Sequence, residues 1–569
     1  MLLQIMRRVI GLDRHGTWQG SELPVLTNRV NVKELRPARI FWSRPSRALV
    51  APLAATVAVL TGASATLRAT PAAVHPEARA KTLVSESIHA LGGEERLRSI
   101  RALTLVGSSY TNHLQDSPNP RGPWLVDFDR FTEYQDLRQR TLLRDSAANP
   151  ASARATATTL HRELVAEGID AHLTIENAIA RVDYTTAAHD DWIDLGPLRV
   201  MLTALHAPDL HVSASRRLHG IPTTVVTFRW QGLPVKIFIN DFTKLPLAVE
   251  YFQSYPDSVA RAAWGDMAVR TTYSNWELEP GGLHYPLQTD TTLNGQPLKV
   301  VSLTKVSLGT GLAADQFTVT SAIRGDYAQE THDVDRIPLG QPGNGDPGLP
   351  PREICPGVVQ IPGEWYVTLI RQHDGVIVLE APISGGYSAK VIEEAGRRFP
   401  GERIKAIIST SNYWWHIAGV REYVADGIPL YALDLNRELL SHLSSAPHLT
   451  HPDSLQRSPR MLDLRAVTGK QVLGKGVDRV ALYPIRTSTT SQMLMVYFPQ
   501  CALLYSSDMA QPLGKNGAFV APQYLWDLKR AVDENHLHVE TLIGMHMSPT
   551  PWAKLLKTLV TAKAFTAGS

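Results

Sequence analysis

The segment ISTSNYWWHIAG, residues 408–419, places its only histidine directly after a tyrosine and two tryptophans. Imidazole binds metal ions and transfers protons at neutral pH, whereas an indole offers an N–H donor and no acceptor. An apolar, strand-like pattern leads into this segment, and a helix-like pattern follows it. Proteins with alternating strands and helices form their active sites at such loops, so His416 is the first candidate functional residue.

Other potentially catalytic or metal-binding residues do not form a recognisable motif. Histidines recur in HAPDLH (206–211), HLSSAPHLTH (442–451) and HLH (536–538), within loop-like or surface-helix patterns that lack a second ligand cluster. The sequence contains no G-x-S-x-G nucleophile motif and no phosphate-binding glycine loop. These histidines are therefore predicted to be structural, and serine-based hydrolysis is not favoured.

Composition narrows the class of protein. The 569 residues carry 57 basic and 54 acidic side chains, a formal net charge of +3, so no strong field favours nucleic acid as a partner. We therefore expect a small-molecule or hydrophobic ligand. Cys355 and Cys501 stand in apolar strand-like segments and match neither a disulfide framework nor a zinc-ligand spacing, so both are predicted to be buried thiols.

Residues 1–75 have the pattern of a targeting segment. Arg44 and Arg47 precede the apolar run ALVAPLAATVAVLTG, and the small residues ASA follow at 63–65. This is the order found in a signal peptide, and the run is short for a membrane-spanning helix. We predict a largely disordered targeting segment, either a cleaved signal or a signal anchor. The protein is then exported, periplasmic or secreted, and contacts the membrane only through this segment.

The periodicity of the remaining chain indicates which elements position these residues. A helical pattern opens at Pro76, and alternation of apolar and polar residues then recurs between Gly, Pro and Asn turns. The alternating segments include RALTLVGSSYT, TTVVTFRW, VKIFIND, LAVEYFQ, VRTTYSNWEL and KVVSLTKVSL. A curved antiparallel β domain with few helices is therefore predicted for residues 76–335.

A Pro/Gly linker is predicted at residues 336–352, where RIPLGQPGNGDPGLPP can continue neither a helix nor a central strand. Beyond it, in residues 353–569, strand patterns such as IKAIIST and MLMVYFP alternate with the helical patterns SAKVIEEAGRRFP, IAGVREYVADG and YLWDLKRAVDEN. A loop-rich insertion is predicted at residues 436–459. The interleaving indicates a layered unit, and the whole chain is assigned to the α+β class.

Several local phrases, in order along residues 353–565, resemble the metallo-β-lactamase superfamily. They are the opening PGVVQIPG, the strand VIVLEAP, the helix ending RRFPG, the loop before IAGV, the strand ending in SSD, and the late GMH. The resemblance implies an αββα sandwich that binds one or two metal ions, usually zinc. It also implies a hydrolase that acts on an ester, lactam or phosphoester bond.

Most of the family's metal ligands are replaced in this chain. The family binds metal through a His-x-His-x-Asp-His loop, a later histidine, a bridging aspartate and a final histidine. The ligands of the first metal correspond to Ser411, Tyr413 and about Thr489, none of which is a histidine. Trp415 stands where the family has the loop aspartate, and an indole can neither bind the metal nor accept a proton.

The resemblance implies that this chain retains three of the four ligands of the second metal, namely His416, Asp508 and His546. Two imidazoles and a carboxylate form the ligand set of catalytic zinc and of facial non-haem iron. Two alternatives stay open: one ion of zinc, iron or manganese at these residues, or no metal. In the second alternative His416 anchors a helix, Asp508 accepts backbone N–H bonds, and His546 satisfies a buried carbonyl.

Residues 76–335 resemble, less specifically, the curved sheet of periplasmic lipoprotein carriers. The resemblance lies in ALGGEERLRSIRALTLVGSS, FINDFTKLPLAVEY and YSNWELEPGGLHYP. It implies an apolar concavity suited to acyl chains or hydrophobic peptides. A module that only packs on the second domain is the alternative.

Two functional hypotheses follow. The first is a divergent hydrolase of the metallo-β-lactamase fold whose two-metal site has decayed to at most one metal. The second is a catalytically inactive exported binding or scaffold protein, which uses the old cleft or the N-terminal concavity for a hydrophobic ligand.

Overall fold

The computed structural model describes residues 76–149, 159–174, 179–182, 191–309, 311–329, 333–341, 348–487, 493–513, 518–519 and 522–566. The predicted targeting segment and the degenerate position Thr489 lie outside this part of the chain. Helices and extensive sheets both occur, so the chain is α+β, as predicted.

The N-terminal region is built on one long antiparallel sheet. Its strands are β1 (Ala102–Asn112), β2 (Val126–Asp136), β3 (Thr141–Asn149), β4 (Thr159–Ala166), β5 (Ile169–Thr174), β6 (Ile179–Val182), β7 (His211–Leu218), β8 (Ile221–Trp230), β9 (Leu233–Asn240), β10 (Pro246–Ser254), β11 (Asp266–Glu279), β12 (Leu283–Leu293) and β13 (Gln296–Gly309). Their order in the sheet is β6-β5-β4-β3-β2-β1-β13-β12-β11-β10-β9-β8-β7. The alternating segments form these strands because one face of a pleated strand is buried while the other meets water.

Short helices pack on this sheet. They are α1 (Pro76–Leu91), α2 (Glu94–Ser99), α3 (Asp191–Asp194), α4 (Val200–Leu205) and α5 (Ser321–Gln329). Four of them, α1 to α4, pack on one face of the sheet, and the last, α5, packs on the other face with Leu143 and Leu164. Val84 of α1 and Met201 of α4 are fully buried together with Ile237 of the sheet. Sequence periodicity did not indicate α3 and α4, because helices of four and six residues are too short for their period to be recognised.

The C-terminal region contains two larger sheets. The strands of the first are β14 (Arg352–Cys355), β15 (Val358–Ile361), β16 (Val367–Gln372), β17 (Gly375–Leu379), β18 (Ile404–Ile408), β19 (Leu430–Leu433) and β20 (Leu464–Val467). They lie in that order, antiparallel up to β17 and parallel from β17 onward.

The remaining strands of the described residues are β21 (Gln471–Leu473), β22 (Val480–Ile485), β23 (Met493–Phe498), β24 (Leu503–Tyr505), β25 (Pro512–Leu513), β26 (Ala518–Phe519), β27 (Thr541–Gly544) and β28 (Met547–Pro551). The second sheet has the order β21-β22-β23-β24-β27-β28, with β24 and β27 parallel. β25 and β26 pair separately from this sheet.

Seven helices are described in the C-terminal region. They are α6 (Gly385–Arg398), α7 (Trp414–Ile417), α8 (Val420–Ala425), α9 (Arg437–Ser445), α10 (Ser454–Arg457), α11 (Pro522–Glu534) and α12 (Trp552–Thr566). Among the described residues, no helix combines the length and the apolar composition needed to cross a membrane.

The prediction of a loop-rich insertion at residues 436–459 is wrong over its first part. Residues 437–445 form helix α9 instead of a loop. Leu439, Leu440 and Leu443 are buried on one side of this helix. Tertiary packing of this narrow apolar stripe stabilises a helix that the many serines and histidines of the segment concealed.

The described residues form five hydrophobic clusters, of which the three largest concern the C-terminal region. The first joins the N-terminal sheet to α6, α8 and α9, and it includes Trp264 and Trp414. A second, containing Ile377 and Leu482, lies between the two C-terminal sheets. The third packs α11 and α12 against β22, β23 and β24, with Leu528 fully buried. The first cluster runs without a break from the N-terminal region into the C-terminal region.

The prediction of two buried thiols is also wrong. Cys355 at the end of β14 and Cys501 in the turn before β24 form a disulfide, with Cα atoms 6.3 Å apart. This separation lies within the range that a disulfide bridges. Both residues are half-buried rather than buried. The pairing spans 146 residues of sequence, so only the packing of the two C-terminal sheets brings the cysteines together.

Candidate metal centre

Asp508 and His546 follow two parallel strands that end at the same edge of the second C-terminal sheet. Tyr505 of β24 is paired with Ile543 of β27, and each candidate lies three residues beyond its strand residue. The carboxyl ends of neighbouring parallel strands meet at one edge, which is where open α/β sheets place ligands. The parallel pairing therefore explains why these two side chains lie close together.

His416 comes from the first C-terminal sheet. β18 ends at Ile408, and the loop that follows leads into the short helix α7, where His416 N donates to Tyr413 O (3.0 Å). The same loop is tied to the second sheet, because Leu494 N donates to Thr410 O (2.9 Å). Facing sheets thus bring together residues that are 92 or more positions apart in the sequence.

The two histidines converge on the carboxylate of Asp508. His416 Nε2 lies 3.2 Å from Asp508 Oδ2, and His546 Nε2 lies 3.1 Å from Asp508 Oδ1. The three side chains are at most 8% exposed, and one ligand atom from each lies within 4.8 Å of the others. Imidazole nitrogens and a carboxylate oxygen are ligands that zinc takes in proteins, so these residues would fit one ion.

A backbone carbonyl fixes the orientation of His546. Its Nδ1 lies 2.8 Å from Glu364 O, and because a carbonyl only accepts, Nδ1 carries a proton and donates it. Metal-binding histidines are commonly held in this way. Burial alone would lower the pKa of His546, but the hydrogen bond and the charge of Asp508 outweigh burial and raise it. In the metal-free protein a proton on Nε2 therefore faces the carboxylate.

The ring of His416 is fixed by fewer hydrogen bonds than the ring of His546. Burial lowers the pKa of His416 to about 4, against the attraction of Asp508, so the ring is neutral at neutral pH. Its Nδ1 is buried and has no hydrogen-bond partner among the described residues. Burial would raise the pKa of Asp508, but the two histidines lower it overall. The donor set thus fits one ion, with His546 oriented by hydrogen bonding and His416 positioned by its backbone.

The replaced family positions make other contacts. Ser411 Oγ accepts a hydrogen bond from Tyr413 N (3.2 Å). The ring of Tyr413 stands beside His416, with centroids 5.6 Å apart. Trp415 is half-buried and packs against the hydrophobic cluster that contains Trp264. The aromatic ring next to His416 is therefore that of Tyr413 rather than that of Trp415.

A buried carboxyl group that sequence analysis missed lies next to the centre. Glu380, directly after β17, accepts hydrogen bonds from Thr410 N (3.2 Å) and Tyr505 OH (3.1 Å). Thr410 Oγ1 also contacts Glu380 and lies 2.7 Å from Ser507 Oγ. Burial raises the pKa of Glu380 to about 8, although these hydrogen bonds oppose the shift. The pattern that could have revealed it is an acidic residue after the wholly apolar strand VIVL.

A second group of potential ligands lies on the N-terminal sheet. Glu163, Asp170 and His172 each offer one ligand atom within 4.8 Å of the others. Glu163 and His172 are direct partners across β4 and β5, and the His172 side chain is 45% exposed. Cross-strand neighbours come this close in any sheet, so the group does not by itself define a site.

No protein-family model and no curated protein sequence matches the chain. Solved structures are similar to part of it. A metallo-β-lactamase from Pontibacter korlensis is 12% identical with a TM-score of 0.30, and the match covers 38% of this chain and 99% of that one. The metallo-β-lactamase DIM-1 is 14% identical with a TM-score of 0.29, and the match covers 38% of this chain and 98% of that one. The sec-alkylsulfatase Pisa1 from Pseudomonas sp. is 15% identical with a TM-score of 0.28, and the match covers 38% of this chain and 40% of that one.

The resemblance to metallo-β-lactamases in the sequence pattern thus has a counterpart among solved structures, at 12–14% identity and TM-scores of 0.29–0.30. At these identities a likeness concerns the fold alone. The chemistry depends on the residues of the centre.

Proposed function

We propose that this protein is an exported, divergent hydrolase of the metallo-β-lactamase fold, with a decayed two-metal site that holds one ion at His416, Asp508 and His546. The observation that carries the proposal is the convergence of two imidazole nitrogens on one buried carboxylate, at 3.2 and 3.1 Å. Hydrophobic clusters between the two C-terminal sheets and on their outer faces support the αββα arrangement that this proposal requires.

When bound, zinc, iron or manganese at these residues would act as a Lewis acid and lower the pKa of a bound water toward 7. The residues of the chain perform the other tasks. A backbone carbonyl orients His546, and the two histidines keep Asp508 ionised. The rings of Tyr413 and Trp365 stand 5.6 Å from His416 and 6.2 Å from His546, so their apolar surfaces limit the access of water.

The indole of Trp415 limits the activity that this centre can reach. An indole neither orients nor deprotonates an attacking water, because it has no acceptor. A positioned general base typically contributes about 10²–10⁴ to the rate. Hydrolysis of ester, lactam or phosphoester substrates is therefore expected to be slower than at a complete site by about that factor.

A cavity supports a second candidate function, ligand binding without catalysis. It has a volume of about 320 Å³ and lies on the N-terminal sheet against Trp414. Its lining combines the apolar side chains of Leu114, Met267, Leu293 and Leu298 with polar and charged ones, among them Asp127, Asp129 and Arg261. This volume is at the lower end of the range for small-molecule sites, about 300–1,000 Å³. The proposed occupant is a small hydrophobic ligand rather than nucleic acid.

The disulfide supports export as part of the proposal. Cys355 and Cys501 are paired, and structural disulfides persist in oxidising compartments such as the periplasm and the cell exterior. A periplasmic or secreted location, with membrane contact only through residues 1–75, is consistent with this bond.

The metal content of the purified protein tests the first candidate. Elemental mass spectrometry is expected to find near-stoichiometric zinc, iron or manganese in the wild type and none in His546→Ala, because two ligands remain. His448→Ala is the matched control, since His448 is also buried and its Nε2 bonds to Ala263 O (3.0 Å) instead of the centre. The control variant should keep its metal.

The outcomes separate the two candidates. Metal retained by His546→Ala would place the ion elsewhere and contradict the proposed centre. A wild-type protein that takes up no metal from excess ion would end the hydrolase proposal. Native mass spectrometry for a co-purifying apolar ligand, with Leu293→Asp as the variant expected to release it, would then test the second candidate.

A further inference from the structure

The loop that carries His416 is attached on its other side to the N-terminal region. Trp414 N donates to Gln115 O (3.0 Å), and Asn412 Nδ2 donates to Ser117 O (2.8 Å). Both acceptors belong to the connection between β1 and β2, residues 113–125. The loop is thus hydrogen-bonded to an element about 300 residues earlier in the chain, on the opposite side from its link to Leu494.

Aromatic packing reinforces these hydrogen bonds. The rings of Trp414 and Trp264 lie with centroids 4.5 Å apart, and the two residues are 4% and 5% exposed. Trp264 stands in a short turn immediately before β11, so its position is fixed by the N-terminal sheet. The ring planes are tilted by 41°, and aromatic pairs at such distances contribute about 0.5–1.5 kcal/mol beyond the area that they bury.

The connection between β1 and β2 is itself firmly held. His113 lies between Asp116 (3.0 Å) and Asp127 (2.8 Å). The hydrogen bond to Asp116, followed by that to Asp127, raises the pKa of His113 to about 10, so the imidazolium persists at neutral pH. The Ser117 hydroxyl donates to His113 O and accepts from Leu125 N (2.8 Å). A rigid connection can position whatever is bound to it.

We propose that the N-terminal region is a positioning element of the candidate metal centre and acts on His416 through Trp264 and Trp414. The inference rests on the proposed single-metal function and identifies the structural support of that same centre. His416 lies two residues after Trp414 in the same helical turn, α7. Because its Nδ1 has no hydrogen-bond partner among the described residues, the direction of its ring depends on the backbone of this turn and on the contact of Nε2 with Asp508 (3.2 Å).

Substitution of Trp264 tests the inference. Trp264→Ala removes the ring under Trp414, and Trp264→Phe retains an aromatic ring there. The matched control is Trp276→Ala, because Trp276 lies toward the far end of β11 and packs on Tyr273 (5.9 Å). Two quantities are measured for each variant: hydrogen–deuterium exchange of residues 411–417 in metal-free protein, and the dissociation constant for zinc.

Trp264→Ala is expected to speed exchange in residues 411–417 and to weaken zinc binding by about 10–100-fold, as the loss of a supporting contact around a ligand typically does. Trp264→Phe should recover most of both losses. Trp276→Ala should leave both quantities at their wild-type values even where it lowers the melting temperature.

Two results would overturn the inference: equal behaviour of the alanine variants at positions 264 and 276, or faster exchange in Trp264→Ala with unchanged zinc affinity. A wild-type protein that binds no zinc refutes the proposed function separately. In that case the hydrogen–deuterium exchange of residues 411–417 alone tests the inference. Unchanged exchange in Trp264→Ala would show that the N-terminal region does not hold the His416 loop.

Discussion

The three aromatic residues ahead of His416 have separate roles. Tyr413 stands beside its ring, Trp414 packs on Trp264, and Trp415 packs into the hydrophobic cluster shared by both regions. All three contribute to interior packing, because Tyr413 also packs against the cluster formed by α11 and α12. The point at which the two histidines meet the carboxylate remains polar.

Glu380 predicts a pH dependence at the residue scale. Its pKa is about 8 in the folded protein, against 4.5 for an ordinary glutamate, because burial disfavours the charged form. Between these values the folded state binds a proton that the unfolded state has lost. The stabilising contribution is complete below pH 4.5 and is lost as pH rises to 8, at about 1.4 kcal/mol per pH unit.

Urea unfolding at pH 5, 6.5 and 8 checks this dependence. The wild type should lose stability across the series relative to Glu380→Gln, which has no proton to release. Glu393→Gln, on the exposed face of α6, is the control and should follow the wild type. Parallel curves for the wild type and Glu380→Gln would show that the carboxyl group is already ionised at pH 5.

At the scale of elements, the three candidate metal ligands are positioned by the ends of strands. Asp508 and His546 follow parallel strands of one sheet, and His416 follows β18 of the other. Relative displacement of the two sheets would separate the donors. The disulfide between Cys355 and Cys501 links β14 of the first sheet to the turn before β24, and so restrains that displacement.

Removal of the disulfide is therefore expected to destabilise the protein. The bond closes a segment of 146 residues. Removal of a disulfide that closes a loop of this size lowers the free energy of unfolding of a protein by about 3–5 kcal/mol. Guanidinium unfolding of Cys355→Ser/Cys501→Ser against the oxidised wild type measures the loss. Reduced wild-type protein should match the double variant, and two reactive thiols in native oxidised protein would refute the pairing.

At the scale of the whole molecule, a second contact joins the two regions. Asp266 at the start of β11 is buried, and its carboxylate accepts hydrogen bonds from Leu449 N, Thr450 N and Thr450 Oγ1. Asp266 N donates to Pro447 O (2.7 Å). With the continuous hydrophobic cluster, these bonds predict that the described regions unfold together.

Asp266→Ala tests this coupling. The variant leaves two backbone N–H groups without their acceptor, and each such loss costs about 1–3 kcal/mol, so a total of about 2–6 kcal/mol is expected. Hydrogen–deuterium exchange at residues 447–451 should rise as well. Asp241→Ala, which removes only a bond to Thr224 within the N-terminal sheet, should have a smaller effect on stability. An equal loss in both variants, without added exchange at 447–451, would contradict the coupling.

Much of the architecture could be predicted from sequence because its signals are local. Alternating residues marked β1, β8 to β11 and β13, and a helical period marked α6, since both patterns depend only on neighbouring residues. His416 was recognisable as the histidine of a loop between a strand and a helix. Asp508 and His546 were recognisable through family resemblance, which the arrangement of β24 and β27 later explained.

The sequence alone thus determined which segments form strands and helices and which residues were candidates for the centre. Only the tertiary structure decided which distant residues meet: Cys355 with Cys501, Trp264 with Trp414, and Glu380 with Tyr505. These contacts depend on how sheets stack and which surfaces they bury, and no periodic pattern encodes them. For the same reason the short helices α3 and α4 and the apolar stripe of α9 became evident only from the surfaces against which they pack.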